Sequence, residues 1–146
     1  MSKSDAWETG VLNLLFANSN FANVGDVTGL RGSSTAGSLY ISLHTADPGE
    51  AGSQTTSEAT YTGYARVGVV RSGAGWTVAS GAATNAATVT FGTCTAGTNT
   101  ITYVGIGTDP SGAGTLLYSG ALTGSVAVSS GIAPFFAAGD IDVTEA

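Results

Sequence analysis

The spacing of apolar and polar residues changes once along this chain, near residue 38. Before it, Trp7, Val11, Leu14 and Leu15 recur at i, i+4, i+7 and i+8, the pattern of one apolar helix face. Asp5, followed three residues later by Glu8, supplies a capping box for the start. Asn18-Ser19-Asn20 compete with the helix for backbone hydrogen bonds and end it. From there to Gly37 the chain is Gly, Ser, Asn and Asp with scattered apolar residues, which predicts a loop with at most one short helical turn.

After this point the period falls to two. In Ser38–His44, Leu39, Ile41 and Leu43 share one face while Tyr40, Ser42 and His44 share the other. Tyr64 to Arg71 reads as a second strand, with Ala65, Val67 and Val69 on one side and Tyr64, Arg66 and Val70 on the other. Ser72-Gly73-Ala74-Gly75 reads as a hairpin turn into Trp76-Thr77-Val78. Further strands are predicted over 87–91, 100–106, 115–118, 125–128, 132–136 and 141–143. Turn signals separate them at Gly92, Gly97, Asp109-Pro110-Ser111-Gly112, Gly120, Gly124 and Ser130-Gly131. A succession of short strands without intervening helices predicts a mainly β fold: an antiparallel β-sandwich, expected to be a jelly roll, with one short N-terminal helix. The expected organisation is a single domain, with residues 1–37 as a helix and loop arm and 38–146 as the sandwich.

Composition narrows the possible partners. The 146 residues fit one domain, and a mean hydropathy of +0.24 favours a packed core over disorder. Four basic residues against ten acidic ones give a net charge of −6, so there is no basic stripe for nucleic acid or an anionic membrane surface. No apolar run approaches the ~18 residues of a membrane-spanning helix, and the opening Met-Ser-Lys-Ser-Asp-Ala-Trp-Glu lacks the apolar centre of a signal peptide. The expectation is a chain made and kept in an aqueous cytoplasm, with no membrane partner. Residues 72–108 and 110–139 carry no charge, so exposed strand positions there are Thr, Ser, Ala and Gly in place of the Lys and Glu that guard sheet edges. Thr88, Thr90 and Thr102 are expected on a solvent face or on a self-association or partner-binding face.

Patterned chemistry is missing. No G-x-S-x-G, S-x-x-K, H-E-x-x-H or phosphate-loop motif occurs, and Gly105-Ile106-Gly107-Thr108-Asp109-Pro110 lacks the third glycine and following helix of a dinucleotide fingerprint. His44, the sole histidine, reads as a solvent-exposed or hydrogen-bonded strand-end residue. The lone Cys94 can form neither an intrachain disulfide nor a multi-cysteine zinc site and reads as a small buried or strand-edge residue. Asp47-Pro48-Gly49-Glu50 sets two carboxylates three residues apart, but turn chemistry accounts for it: Asp accepts backbone hydrogens, Pro fixes φ, and Gly permits positive φ. The residues that follow supply too few oxygen donors for calcium. No enzyme activity, cofactor or metal is expected. The polar segment from Gln54 to Tyr64 is long for a connection, and its Tyr61 and Tyr64 either form an interface or pack on their own sandwich.

Leu39-Tyr40-Ile41-Ser42-Leu43-His44-Thr45-Ala46-Asp47-Pro48-Gly49-Glu50-Ala51-Gly52, continuing through Tyr61-Thr62-Gly63-Tyr64-Ala65-Arg66-Val67, resembles a family of small tailed-phage virion proteins. The resemblance runs from residue 7 to about 130 and includes the opening helix and the late Gly112–Gly120 segment. Members are described as tail-fibre proteins or as capsid cement (decoration) proteins of the kind found in short-tailed Bordetella phages. The resemblance implies no catalytic residues. It implies a protein of the outer capsid surface, present in the host cytoplasm before assembly, that bridges neighbouring capsomers, often as a homodimer. Its partners would be the major capsid protein and a second copy of itself. A protein that binds only the assembled lattice stabilises it by mass action against packaged-DNA pressure. The candidate contact residues are Trp7, His44, Asp47, Pro48, Gly49, Glu50, Tyr61 and Tyr64. The alternative is a tail-fibre or other tail-associated subunit, although the chain has neither heptads nor β-helical repeats.

Overall fold

A computed structural model describes residues 2–145; Met1 and Ala146, the outer ends of the expected arm and sandwich, lie outside the described residues. The fold is mainly β, with antiparallel sheets and one N-terminal helix. The helix α1 spans Asp5–Phe16, and the strands are β1 (Ser38–His44), β2 (Val67–Val70), β3 (Trp76–Ala79), β4 (Ala82–Asn85), β5 (Val89–Thr90), β6 (Asn99–Gly107), β7 (Leu116–Val128), β8 (Phe135–Phe136) and β9 (Asp142–Thr144). They form sheets of order β2-β1-β6-β7, β3-β4-β9 and β5-β8. These are the sandwich-like antiparallel sheets expected; neither longer order spells out the paired Greek keys of a jelly roll. Two compact units make up the chain: residues 2–38, 69–89 and 136–145 form the first, and 39–68 and 90–135 the second.

In the first unit, α1 begins one residue earlier than the capping box implied. Ser4, extended at φ −99° and ψ 153°, is the N-cap and accepts from the Trp7 amide, while Asp5 and Glu8 sit in the first turn, where they favour the positive end of the helix dipole. The buried face is also shifted. Leu12 and Phe16, one turn apart, are buried, whereas Val11, Leu14 and Leu15 are half-buried and Trp7 is exposed. The Phe16 ring meets Trp76 edge-on at 4.6 Å, and the helix packs on β3 and β4. Asn18, at φ +53°, ends the helix as expected. Its side chain then clasps the backbone of Ser33, and Asn20 accepts from Gly32. No helical turn lies in this loop; Phe21 and Leu30 pair instead as an antiparallel bridge.

Arg71 fastens the same unit. Its guanidinium donates to the Leu14 and Leu15 carbonyls at 2.8 and 2.5 Å and to the Ala36 carbonyl at 3.3 Å. A cation against the orphan carbonyls of a helix end is favourable by charge and by hydrogen bonding. Buried Asn85 satisfies its whole side chain: its amide donates to the Ala87 and Ala137 carbonyls and its oxygen accepts from the Ile141 amide.

Three strand expectations are corrected. The hairpin lies between β3 and β4, through Ser80-Gly81 at φ +52° and +73°, and the Ser72–Gly75 turn joins strands of different sheets. The second strand is shorter than expected, Val67–Val70, because Tyr64 and Arg66 are engaged in side-chain bonding before it starts. The segments expected over 115–118 and 125–128 fall, from Leu116 on, in one 13-residue strand, β7, with Gly120 and Gly124 inside it and not at turns. Gly120 pairs with Val104 in regular register, and two register shifts against β6 lie on either side of it: Leu117 is an extra residue, and Leu122 to Ser125, Gly124 among them, stand opposite Thr102 alone.

Candidate interaction surface

The second unit is organised around a polar clamp that holds the long connection after β1. Its centre is Arg66, whose Nε and terminal nitrogen donate to the two Glu58 carboxylate oxygens at 2.7 and 2.8 Å. The remaining donors reach the carbonyls of Asp109 and Gly112 at 2.9 and 2.7 Å, so one guanidinium ties the connection to the β6–β7 turn. The Glu58 bond holds Arg66 above its ordinary pKa against the opposing effect of burial. Gln54 fastens the same turn, donating to the Asp109 carbonyl and accepting from the Asp109 amide.

Tyr64 joins this clamp to β1. Its hydroxyl donates to Glu58 at 2.8 Å and accepts from the Leu43 amide at 3.1 Å, and burial raises its pKa well above the ordinary phenol value. Tyr61 is 3% exposed and donates to the Gly92 carbonyl at 3.0 Å, its ring meeting Tyr64 at 5.5 Å. Of the two readings of this tyrosine pair, packing on its own unit is the one found. Gly63, at φ +103°, lets the backbone pass the Thr93 carbonyl, which an added Cβ would approach to 2.2 Å.

His44 is hydrogen-bonded and fully buried, which corrects the exposed reading. The 53–66 segment lies against the end of β1: Ala59 donates to the Leu43 carbonyl and Thr45 to the Ser57 carbonyl. His44 Nδ1 faces the Thr56 carbonyl at 2.8 Å; a carbonyl only accepts, so the proton sits on Nδ1 and Nε2 accepts from the Ser42 hydroxyl at 2.8 Å. A hydroxyl against an imidazole nitrogen is the first contact of a nucleophile–base pair. Here both residues are 0% exposed, so no substrate reaches them and the contact is structural. Burial pushes the His44 pKa down, opposed by the Thr56 bond and the Glu58 charge, and the neighbouring Arg66 lowers it further. Gly105 opposite leaves the room: an added Cβ would lie 2.6 Å from both His44 Nε2 and Ser42 Oγ.

The Asp47–Glu50 segment is the turn expected. Asp47 Oδ1 accepts from the Gly49 amide at 2.9 Å, Gly49 adopts φ +69°, and Pro48 is buried while the other three residues are exposed. Asp47, Gly49 and Glu50 flank an open groove of about 630 Å³ with Tyr103 and the first half of β7, Leu116 to Ala121. Being open to solvent, it fits the surface of a partner better than an enclosed small molecule. Of the candidates in this unit, the groove gathers Asp47, Gly49 and Glu50 and leaves out His44, Tyr61 and Tyr64.

Trp7 belongs to the first unit. It is 42% exposed, with its ring 5.5 Å from Phe21. Gly10 lies so close to the Phe21 ring that a side chain there would collide with it.

Sequence reasoning missed Glu58, Arg66 and Gln54 as a clamp, because the partners of Arg66 and Gln54 at Asp109 and Gly112 lie 43 to 55 residues away. It also missed Tyr103 and the edge of β7, for which the uncharged 110–139 stretch was the available signal. Among the described residues, no group of three or more His, Cys, Asp or Glu could hold a metal ion, and no helix is long and apolar enough to cross a membrane. Compared with known families, residues 2–144 match the family described as Podophage GP4 fiber I protein gp80. No curated protein matches the chain.

Proposed function

We propose that this chain, which belongs to the Podophage GP4 fiber I protein gp80 family, serves as a structural subunit of the phage tail-fibre apparatus that joins virion proteins through surface contact. Membership across residues 2–144 makes it a phage structural protein. The observation that carries the fibre reading is the family's own description, which names a fibre where the sequence reading led with capsid cement. The side chains that could suggest catalysis support it too: Ser42 and His44 are sealed inside, and the Arg66 clamp is engaged with backbone and carboxylate.

The contact surface in the second unit is the Asp47–Glu50 turn and the groove beside it. Its partner is another protein of the virion; the net charge of −6 argues against nucleic acid. The major capsid protein and a second copy of the chain are the partners that the cement reading would require. Gentle disruption of purified virions, followed by separation of heads from tails, tests the proposal by immunoblot. Recovery with the tail fraction supports it. Recovery with emptied heads overturns it in favour of capsid cement.

A further inference from the structure

We infer that residues 53–57 form a proton-gated cover, closed over His44 while the imidazole is neutral and swung aside, about Gly52 and Glu58, when it is charged. The cover contains no apolar side chain, only Ser53, Gln54, Thr55, Thr56 and Ser57. It holds its own shape: the Ser53 amide donates to the Thr56 hydroxyl at 3.0 Å, and the Thr56 amide to the Ser53 carbonyl at 3.1 Å. A segment held by hydrogen bonds without buried apolar area belongs to the low-stability end of a fold.

Its attachments are polar as well. The Thr56 carbonyl accepts from His44 Nδ1, the Ser57 carbonyl accepts from the Thr45 amide at 2.8 Å, and Gln54 is bonded to Ala113 and Asp109. Ser57 sits at φ +53°, a left-handed conformation that costs a serine energy while the cover is closed. The two ends differ in freedom: Glu58 is fixed by Tyr64 and Arg66, whereas Gly52 lacks a side chain and pivots readily.

The closed state has no place for a second imidazole proton. His44 is sealed, Nδ1 is committed to Thr56, and a proton on Nε2 would meet the Ser42 hydroxyl that now donates to it. The groups facing the ring are Ser42 from its own strand, Glu58, Tyr64 and Arg66 from the connection, Tyr103 and Gly105 from β6, and uncharged Leu116 from β7. Glu58 favours the charged ring and Arg66 opposes it, but burial outweighs both and holds the pKa down. Moving Thr56 aside admits water while Glu58, the bridge partner of His44, stays beside the cation. The closed cover is therefore fully favoured above the ordinary value of 6.5, and that preference is lost as the pH falls toward the depressed one. Opening lifts Gln54 off Gly107, which has no side chain to fill the space, and it starts at Gly52, on the wall of the groove.

The test uses the full chain, whose single histidine makes the imidazole NMR signals unambiguous. The titration is read beside amide protection corrected for the intrinsic pH dependence of exchange. From about pH 7.5 to about pH 5.5, protection at Thr45, Gln54 and Asp109 is expected to fall about tenfold, because these amides bond to the cover or belong to it. Leu43 and Tyr61, whose amides are held by Tyr64 and Asn99, should stay protected. His44→Gln should abolish the fall, and Gln54→Ala should lower protection at Thr45 at every pH. The inference is overturned if His44 titrates with Thr45 and Gln54 unchanged, or if Leu43 and Tyr61 fall in step with them, which is unfolding of the whole unit. It is also overturned if His44→Gln keeps the fall, which makes Glu58 the driver. Should that variant not fold, Gln54→Ala decides: unchanged protection at Thr45 rejects the cover.

Discussion

Glu58 and Arg66, eight residues apart, form a two-pronged ion pair with bonds of 2.7 and 2.8 Å, in which the guanidinium side chain is 2% exposed and the carboxylate 15%. Removing one partner of such a pair leaves an uncompensated buried charge. Glu58→Ala is expected to lower stability by about 3–5 kcal/mol, and Glu58→Gln, which keeps the shape and an acceptor, by less. Chemical denaturation of the two variants checks the order; equal and negligible losses would mean that the pair is not holding the connection.

Gly105 is expected to resist even alanine. The atoms its Cβ would meet, His44 Nε2 and Ser42 Oγ, are bonded to each other and buried, so neither yields cheaply. Gly105→Ala should destabilise by roughly 1–3 kcal/mol. The same change at Gly120, where nothing lies within 4 Å, should cost little by comparison. Thermal melts of both variants make the comparison.

The buried His44 and Tyr64 each give stability a slope with pH. His44 binds its proton less readily when folded than its ordinary value of 6.5, so below that pH the unfolded state takes up the proton first. Stability is complete above pH 6.5 and falls as the pH drops toward the depressed folded value, and His44→Gln should flatten that slope. Tyr64 is shifted upward from its ordinary value of 10, so above that pH the unfolded state loses its proton first and stability falls as the pH rises. Denaturation midpoints across the pH range test both slopes.

Tyr64→Phe keeps the ring and removes the hydroxyl that accepts from Leu43 and donates to Glu58. An unpaired amide and a weakened carboxylate contact should cost about 1–3 kcal/mol. Faster amide exchange at Leu43 is the local signature that separates this from a general loosening.

What was legible in the sequence was whatever local spacing encodes. The alternation of Ser38–His44 gave the strand and its apolar face, and Asp47-Pro48-Gly49 gave the turn. Ala82-Ala83-Thr84-Asn85 carries no alternation of large apolar side chains, so β4 was invisible until paired with β3 and β9. Gly124 imitated a turn because it lies in the irregular stretch of β7 opposite Thr102, and Gly120 imitated one although it pairs with Val104 inside the strand. For His44 the choice between exposed and hydrogen-bonded stayed open because its cover, the Thr56 carbonyl, arrives from a segment with no regular pattern. The polar residues of that segment read as a solvated loop, since nothing local reveals that Arg66 bonds the carbonyls at Asp109 and Gly112. The groove was half legible: its acidic turn was singled out, while the edge of β7 appears only once the strand order is known.

The central claim, that this protein is a structural part of the tail-fibre apparatus, is tested most directly by an electron cryo-microscopy reconstruction of the intact virion without imposed icosahedral symmetry. The account predicts density fitting the second unit at the tail, with the Asp47–Glu50 groove against a neighbouring chain. Density repeated over the capsid lattice, with none at the tail, would contradict it.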